Sequence, residues 1–197
     1  MDEPTEGLAP VIVEQLVEVL RSLAAGGALA VLIVEQRFDV VLNLASPQRV
    51  AQVRQRVDDH AAAADRAAPH LTVWVPVALR PGAASMRQAA NQLAIYLAPP
   101  GYGEMFSELG FPELVGRARS GARRSELAEA MPFELAEQVG AFGGPEQIAG
   151  RLRAYLDAGA DTVAVVPVTA EDPAGRATLE CAAESGRLTA PEKEGMS

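Results

Sequence analysis

Apolar positions along the 197-residue chain follow two patterns, continuous runs and a helical spacing. Continuous apolar runs are typical of strands that are buried on both faces of a parallel sheet. They predict three strands, at residues 28–34, 71–79 and 162–168. Pro76 interrupts the second run, and because proline cannot donate to a sheet ladder, an edge position or a bulge is expected there.

Apolar residues spaced three or four positions apart recur between these runs and predict helices. Proline in a first turn and glycine after a last turn mark several of the helix ends. The predicted helices cover residues 10–24, 47–68, 85–98, 104–109, 112–119, 125–139, 145–158 and 172–184. The sequence also predicts a short helix at 38–44, a break or a kink near Pro132 and a disordered tail from Gly186.

Helices that alternate with buried strands predict the α/β class with parallel strands. The patterns together indicate about three strands and six or more helices. A complete eight-stranded (β/α) barrel typically needs about 250 residues. The chain is therefore expected to hold a partial, TIM-barrel-like fragment.

Composition and charge narrow the classes of function. Apolar residues make up 49% of the chain, which favours a sizeable core over global disorder. The formal net charge is −9, and an acidic surface repels phosphate backbones and anionic membranes, so neither nucleic acid nor a membrane is an expected partner. The acidic start of the chain is unlike a signal peptide, and no run is long enough to span a membrane. A single cysteine, Cys181, suits a reducing compartment, and a cytoplasmic protein is expected.

Few residues in the sequence could carry chemistry without a cofactor. His60 and His70 stand apart from any cysteine or second histidine at ligand spacing, so no metal site is predicted. No serine lies in a G-x-S-x-G pattern, which leaves hydrolase chemistry without support. Cys181 lies in an alanine-rich helical pattern and is interpreted as a buried apolar residue, not a nucleophile.

The N-terminal segment carries the stretch DEPTEGLAP at residues 2–10, followed by a helical pattern and an apolar run that ends in VEQ at 34–36. Residues 1–45 are in this respect similar to part of an ABC transporter ATPase, in the branch that imports branched-chain amino acids. In such an ATPase Asp2 would hold magnesium, Glu3 would polarise the attacking water and Gln36 would stand at the switch position. A phosphate loop of the type G-x-x-x-x-G-K-S/T is absent from the sequence, so these three residues are interpreted as vestigial and ATP binding as a less favoured function.

Four segments farther along the chain carry a second resemblance. In order they are residues 72–79 (TVWVPVAL), 92–111 (a helix, a loop with PPGYG and a second helix), 142–149 (FGGPEQIA) and 156–168 (LDAGAD and the apolar run after it). Residues 46–184 thereby resemble the C-terminal region of luciferase-like oxidoreductases, in the branch that uses a deazaflavin. The resemblance implies a barrel fold, monooxygenase-like oxidoreductase activity, and a deazaflavin of the coenzyme F420 type or FMN bound at the carboxyl mouth of the barrel.

The resemblance implies few site residues, and it identifies no catalytic residue, because the early barrel strands of the family have no counterpart here. Gly143 and Gly144 open a helix whose free N–H groups could hold a cofactor phosphate, or they form a turn that only caps the helix. Tyr96 and Tyr102 could line a substrate pocket, or they pack the loop between them onto the barrel. Trp74 lies on a strand that is expected to be buried, so it is predicted to be a core residue.

Three functions stay open at this point. The first is a luciferase-like oxidoreductase that binds its cofactor and a small organic substrate. The second is a non-catalytic fusion remnant, in which an ABC-like segment at 1–45 meets an oxidoreductase-like region at 46–184, followed by a tail at 185–197. The third is an interaction module that forms a homo-oligomer, with two copies completing each other's sheets.

Overall fold

The computed structural model describes residues 40–189 of the chain. The strands within this range are β1 (Val40–Asn43), β2 (Leu71–Leu79), β3 (Ala141–Gly143) and β4 (Thr162–Pro167). They form one sheet in which every pair is parallel, and this confirms the α/β class with parallel strands. The helix and the strand predicted at 10–24 and 28–34 lie outside the described residues.

Eight α-helices accompany the sheet in the described part of the chain. They are α1 (Pro47–Ala63), α2 (Ala83–Leu93), α3 (Tyr102–Glu108), α4 (Pro112–Arg119), α5 (Arg124–Glu129), α6 (Phe133–Val139), α7 (Pro145–Asp157) and α8 (Arg176–Thr189). A 3-10 turn, Ala94–Tyr96, extends α2, and a second one, Pro173–Gly175, precedes α8. The start of α1 follows from its sequence, because the Ser46 side chain accepts the N–H of Arg49 and Pro47 occupies the first turn.

Some elements differ from those that the sequence predicts. The helix prediction at 38–44 is wrong for its described residues, since Val40–Asn43 is a strand. Three apolar residues in a row fit either element, and the pairing with β2 decides between them. The predicted break near Pro132 is confirmed, since residues 125–139 form two helices, α5 and α6, and Pro132 lies between them. At the other end, α8 continues to Thr189, past the position where the sequence places the start of the tail.

β2 is the central strand of the sheet, with one partner strand on one side and two on the other. β4 pairs along most of one side. On the other side β1 pairs with the first half of β2, and β3 pairs with its last three residues. The gap between β1 and β3 lies opposite Val75 and Pro76.

Pro76 faces this gap. Successive residues of a strand direct their backbone groups to opposite neighbours. The His70 carbonyl accepts the N–H of Val40 on the β1 side, whereas the Val77 carbonyl accepts the N–H of Val168 on the β4 side. Even-numbered residues of β2 therefore face β1 and β3, so the missing N–H of Pro76 falls where no strand within residues 40–189 pairs with β2. The irregularity expected at Pro76 is thus a break in the neighbouring ladder, and β2 is not an edge strand.

The two faces of the sheet are covered to different extents. One face is packed throughout by α1, α7 and α8, and its buried residues include Val50, Leu71, Val73, Val75, Val77, Ile148, Tyr155 and Cys181. The opposite face is packed by α2 to α6 near the carboxyl ends of the strands, where Leu44, Ala78, Leu93, Phe106, Leu135 and Phe142 are buried. Farther from those ends the same face is open, and the candidate site lies at the border between its covered and open parts.

Candidate functional site

A cavity of about 280 Å³ lies beside the carboxyl end of β1, between the sheet and α2. Its sheet-side wall comes from β2 and β4, and its other wall from α2 and the 3-10 turn that extends it. Ligands of parallel α/β sheets bind at the carboxyl ends of the strands, and two lining residues, Asn43 and Val166, lie at the carboxyl ends of β1 and β4. On β2 the cavity adjoins Trp74 and Pro76, in the middle of the strand. The lining residues are Asn43, Leu44, Trp74, Pro76, Ala89, Gln92, Leu93, Ile95, Tyr96 and Val166.

Trp74 forms the centre of the sheet-side wall. Asn43 of β1 is its partner in register, and Val166 of β4 is paired with Pro76, so the side chains of all four residues lie on one face of the sheet. Trp74 is 50% exposed and Val166 is 40% exposed. The prediction that Trp74 is a core residue is wrong. A continuous apolar strand suggests burial on both faces, but the helices cover this face only farther along β2.

Asn43, Tyr96 and Tyr102 meet beside the cavity. The Asn43 side chain hydrogen-bonds Tyr102, and the rings of the two tyrosines have centroids 4.9 Å apart at an angle of 55°. Burial raises the pKa of Tyr102, and the hydrogen bond with Asn43 offsets only part of this effect, so the hydroxyl is protonated at neutral pH. Tyr96 lines the cavity and Tyr102 stands next to it. The structure therefore brings the two predicted tyrosines together, and their contact with a substrate stays a prediction.

Arg119 of α4 holds the loop that carries Tyr102. Its guanidinium donates to the carboxylate of Glu104 and to the carbonyl oxygen of Ala98, the latter at 3.3 Å. Glu104 also accepts the N–H of Gly101 at 2.6 Å. The hydrogen bond from Arg119 is the main cause that lowers the pKa of Glu104, so the carboxylate is charged at neutral pH and this ion pair is present.

Gly143 and Gly144 lie at the carboxyl end of β3 and begin α7. Gly143 has a φ of +136°, and a Cβ at this position would collide with the Gln147 side chain. The Gly144 N–H donates to Oε1 of Gln147 at 2.7 Å, so a side chain of the same helix already caps it. Neither glycine is among the residues that line the cavity, and their predicted contact with a phosphate stays a prediction.

The sequence patterns do not indicate Asn43, Gln92 or Arg80 as site residues. The helix predicted at 38–44 hid Asn43, because the last residue of a strand becomes a candidate only when the strand is recognised. Arg80 directly follows a predicted strand, and this position was an available signal. Its backbone N–H donates to the Gly143 carbonyl at 2.8 Å and its side chain is exposed. Gln92 is one of several polar residues of α2, and periodicity offers no signal that separates it from the others.

The histidines lie away from the cavity. Nε2 of His70 is 2.8 Å from Oγ1 of Thr162, and Nδ1 of His60 is 2.7 Å from the carbonyl oxygen of Arg56. Residues 40–189 contain no group of three or more His, Cys, Asp and Glu side chains that could hold a metal ion. None of the helices in the described part of the chain has the length and apolarity that crossing a membrane requires.

Two comparisons with known proteins bear on this fold and this site. The model of the family "Luciferase-like monooxygenase" matches residues 22–162. Among solved structures, the chain is similar to the coenzyme F420-dependent tetrahydromethanopterin reductase from Methanopyrus kandleri, with a TM-score of 0.59 and 13% sequence identity. The similarity covers 75% of this chain and 44% of the reductase, so the chain spans less than half of that protein's length. No curated protein matches the chain.

The similarity to the reductase concerns the fold alone. It confirms the prediction of a partial, TIM-barrel-like α/β fragment. The family match begins at residue 22, inside the segment that resembles an ABC ATPase at the sequence level. Neither comparison supports the ABC resemblance. Asp2, Glu3 and Gln36, its three vestigial residues, lie outside the described range.

Proposed function

Since the chain belongs to the luciferase-like monooxygenase family, we propose that it supplies the C-terminal part of a flavin- or deazaflavin-dependent oxidoreductase. The cavity beside Asn43 and Trp74 is the substrate site of this enzyme, and a small organic molecule is its substrate. The rest of the barrel, which has no counterpart among residues 40–189, contributes the catalytic residues. A chain without that part binds ligands but turns over slowly or not at all.

The observation that carries this proposal is the position of the cavity. It lies at the carboxyl end of a parallel strand, on the sheet face that points into the barrel in (β/α) enzymes, and enzymes with this fold hold their reactants at that end. Asn43, Gln92 and Tyr96 contribute polar atoms to an otherwise apolar lining among the described residues. Such a lining is typical of pockets for small organic molecules.

The residues that would hold the cofactor's phosphate are Gly143, Gly144 and Arg80, at the same edge of the sheet. The first turn of α7 offers N–H groups and the positive end of a helix dipole, and the exposed guanidinium of Arg80 adds a charge. The fit is incomplete, because Gln147 occupies the Gly144 N–H and must turn away to free it. When bound, a reduced flavin or deazaflavin supplies the reducing equivalents, and this chain supplies the positions of phosphate and substrate.

Titration with the cofactors tests the proposed function directly. Purified protein is added to FMN and, separately, to a deazaflavin, and the visible absorbance and fluorescence of the cofactor are followed. We expect a saturable change for at least one of them. If neither cofactor responds at high micromolar protein, the chain binds no flavin-type cofactor and the proposed function is wrong.

Two glycine-to-threonine substitutions, one at the turn and one farther along the helix, test whether the cofactor's phosphate binds at the start of α7. The family usually carries threonine where this chain has Gly144, and a Cβ there meets only Oε1 of Gln147 at 3.6 Å, so Gly144→Thr is sterically tolerated and adds a hydroxyl donor. We expect Gly144→Thr to bind the cofactor several-fold more tightly. Gly150→Thr is the matched control, because Gly150 is on the same helix and a Cβ there meets no atom within 4 Å. Equal affinities of the two variants would contradict the assignment of the phosphate to this turn.

A second candidate function is a non-catalytic module that self-associates. It is favoured by the open part of the sheet face, where Val41 is 53% exposed and Trp74 is 50% exposed. Parallel sheets are usually covered on both faces, and a second copy would cover this one. Light scattering decides the point, because a strict monomer at high micromolar concentration excludes a homo-oligomer.

A further inference from the structure

The lining of the cavity limits the kind of substrate that it accepts. None of the described residues that line it carries a charge. A charged ligand group that leaves water for an apolar pocket loses its hydration, and this loss is large unless an opposite charge pairs with it. The chain as a whole has a net charge of −9, which further disfavours an anion.

The apolar wall of the cavity suits a flat ring. Trp74 presents a half-exposed indole, flanked on the same face by Pro76 and by Val166. Ile95, on the opposite wall, is 52% exposed and faces the same space. Aromatic rings gain from offset stacking on an indole in addition to the area that they bury. The cavity of about 280 Å³ is just below the usual range for small-molecule sites, which begins at about 300 Å³, so it holds one small ring system.

The polar groups of the cavity are amides and a phenol. Asn43 and Gln92 each offer a carbonyl acceptor and an NH₂ donor. The interaction of the Asn43 side chain with Tyr102 uses part of this capacity. A neutral carbonyl or hydroxyl group can therefore be paired in the cavity, whereas a carboxylate or a phosphate finds no cation among the lining residues that the structure describes.

We propose that the cavity selects an uncharged aromatic substrate that stacks on Trp74 and directs one carbonyl or hydroxyl group towards Asn43 and Gln92. The identification of this ligand as a substrate rests on the proposed function. The binding preference itself rests only on the cavity. Phosphorylated and carboxylated metabolites are excluded as occupants of this cavity, although a phosphate of the cofactor is held elsewhere at the same edge of the sheet.

The single tryptophan of the chain makes this preference measurable, because Trp74 is the only indole and it lines the cavity. Three nitroaromatic compounds of the same size serve as quenchers: 4-nitrobenzyl alcohol is neutral, 4-nitrobenzoate is an anion and 4-nitrobenzylammonium is a cation. We expect saturable quenching by the alcohol and binding of the anion that is about tenfold weaker or more. Quenching that stays linear with concentration, as for free N-acetyltryptophanamide, or equal affinity for alcohol and anion, would overturn the proposal.

Two variants, each with an amide side chain replaced by the corresponding acid, test whether the preference for an uncharged ligand comes from the cavity. Gln92→Glu places a carboxylate in the lining, so we expect the cation to bind about tenfold more tightly than to the parent protein and the anion to bind still more weakly. Asn91→Asp is the matched control, because it makes the same change at the neighbouring residue of α2, which is not among the lining residues. Identical behaviour of the two variants would show that net charge, and not the cavity, sets the preference.

The quenching experiment and the cofactor titration test the cavity preference and the proposed function separately. Quenching by the neutral compound without any response of FMN or deazaflavin would leave the cavity preference standing and remove the oxidoreductase. A cofactor response without saturable quenching would leave the oxidoreductase function standing and remove the cavity preference.

Discussion

The hydroxyl of Tyr155, on α7, donates a 2.9 Å hydrogen bond to the carbonyl oxygen of Ala45, in the turn after β1. Both residues are buried. The turn also contains Leu44, whose φ of +57° is a left-handed conformation that residues other than glycine seldom adopt. Because Asn43 and Leu44 line the cavity, this hydrogen bond from a helix on the far face of the sheet stabilises one wall of the candidate site.

Tyr155→Phe is expected to destabilise the fold. The phenyl ring keeps the packing, but the buried carbonyl of Ala45 loses its donor, which costs about 1–2 kcal/mol of unfolding free energy. Urea denaturation measures this as a lower midpoint with an unchanged m-value. Tyr96→Phe is the control, since that side chain is only partly buried, and its midpoint should stay close to that of the parent. A Tyr155→Phe midpoint equal to the parent's would contradict the role given to this hydrogen bond.

The same side chain predicts a loss of stability at alkaline pH. Burial raises the pKa of Tyr155 to about 12, from a usual value of 10.0. The unfolded chain therefore ionises first, so the contribution of this phenol is complete below about pH 10 and is lost as the pH rises towards 12. The loss amounts to roughly 2–3 kcal/mol. Denaturation midpoints measured between about pH 9 and pH 12 should fall more steeply for the parent than for Tyr155→Phe, and parallel curves would rule the effect out.

The parts of the fold that the sequence predicts well are those in which a local pattern decides the element. β2 and β4 are continuous apolar runs, and α7 begins at a glycine–proline pair and ends before Gly159. The local pattern does not predict β1, because Val40, Val41 and Leu42 fit a helix as well as a strand, and only their pairing with β2 settles the choice. β3 is three residues long, which is too short for any periodicity to show.

The candidate site is less predictable from the sequence, because it depends on which surfaces the helices cover. Tyr96 and Tyr102 were found through the family resemblance, and the structure places their rings side by side. Trp74 was assigned to the core from the apolarity of its strand, yet it is half-exposed because α2 to α6 cover its face of the sheet only near Ala78. Coverage of a face is a tertiary property, and no pattern within residues 71–79 encodes it.

The buried hydroxyl of Thr178 is expected to contribute to stability, mainly through the backbone of β2 and also through its interaction with Asp172. Its hydroxyl is fully buried on α8 and accepts the N–H of Leu79 at 3.2 Å, at the point where β2 extends beyond its pairing with β4. Thr178→Val keeps the shape but leaves that N–H unpaired, which costs about 1–3 kcal/mol of unfolding free energy. Thr178→Ser keeps the hydroxyl and loses a methyl group worth about 0.8 kcal/mol. Thermal or urea denaturation should rank valine below serine, and the opposite order would show that packing, not the hydrogen bond, is what matters at this position.

Glu171 is expected to make stability depend on acidic pH. It follows β4 and accepts the N–H groups of Gly82 at 2.9 Å and Ser85 at 3.0 Å, at the start of α2, the helix that carries Gln92 of the cavity wall. Hydrogen bonds from Ser85, and to a lesser extent from Gly82, lower the pKa of Glu171 from its usual value of 4.5. The contribution of this carboxylate is therefore present above pH 4.5 and is lost as the pH falls through its value in the folded protein.

Glu171→Gln tests this pH dependence. The variant should be less stable than the parent at neutral pH, because a neutral amide accepts these N–H groups more weakly than a carboxylate does. The difference between the two should shrink as the pH falls from about 5 to about 3, since the parent then loses its charge as well. Glu180→Gln, at an exposed carboxylate of α8, is the control for the loss of one negative charge. A difference between parent and Glu171→Gln that stays constant over this pH range, or one that Glu180→Gln reproduces, would show that the carboxylate of Glu171 does not stabilise the start of α2.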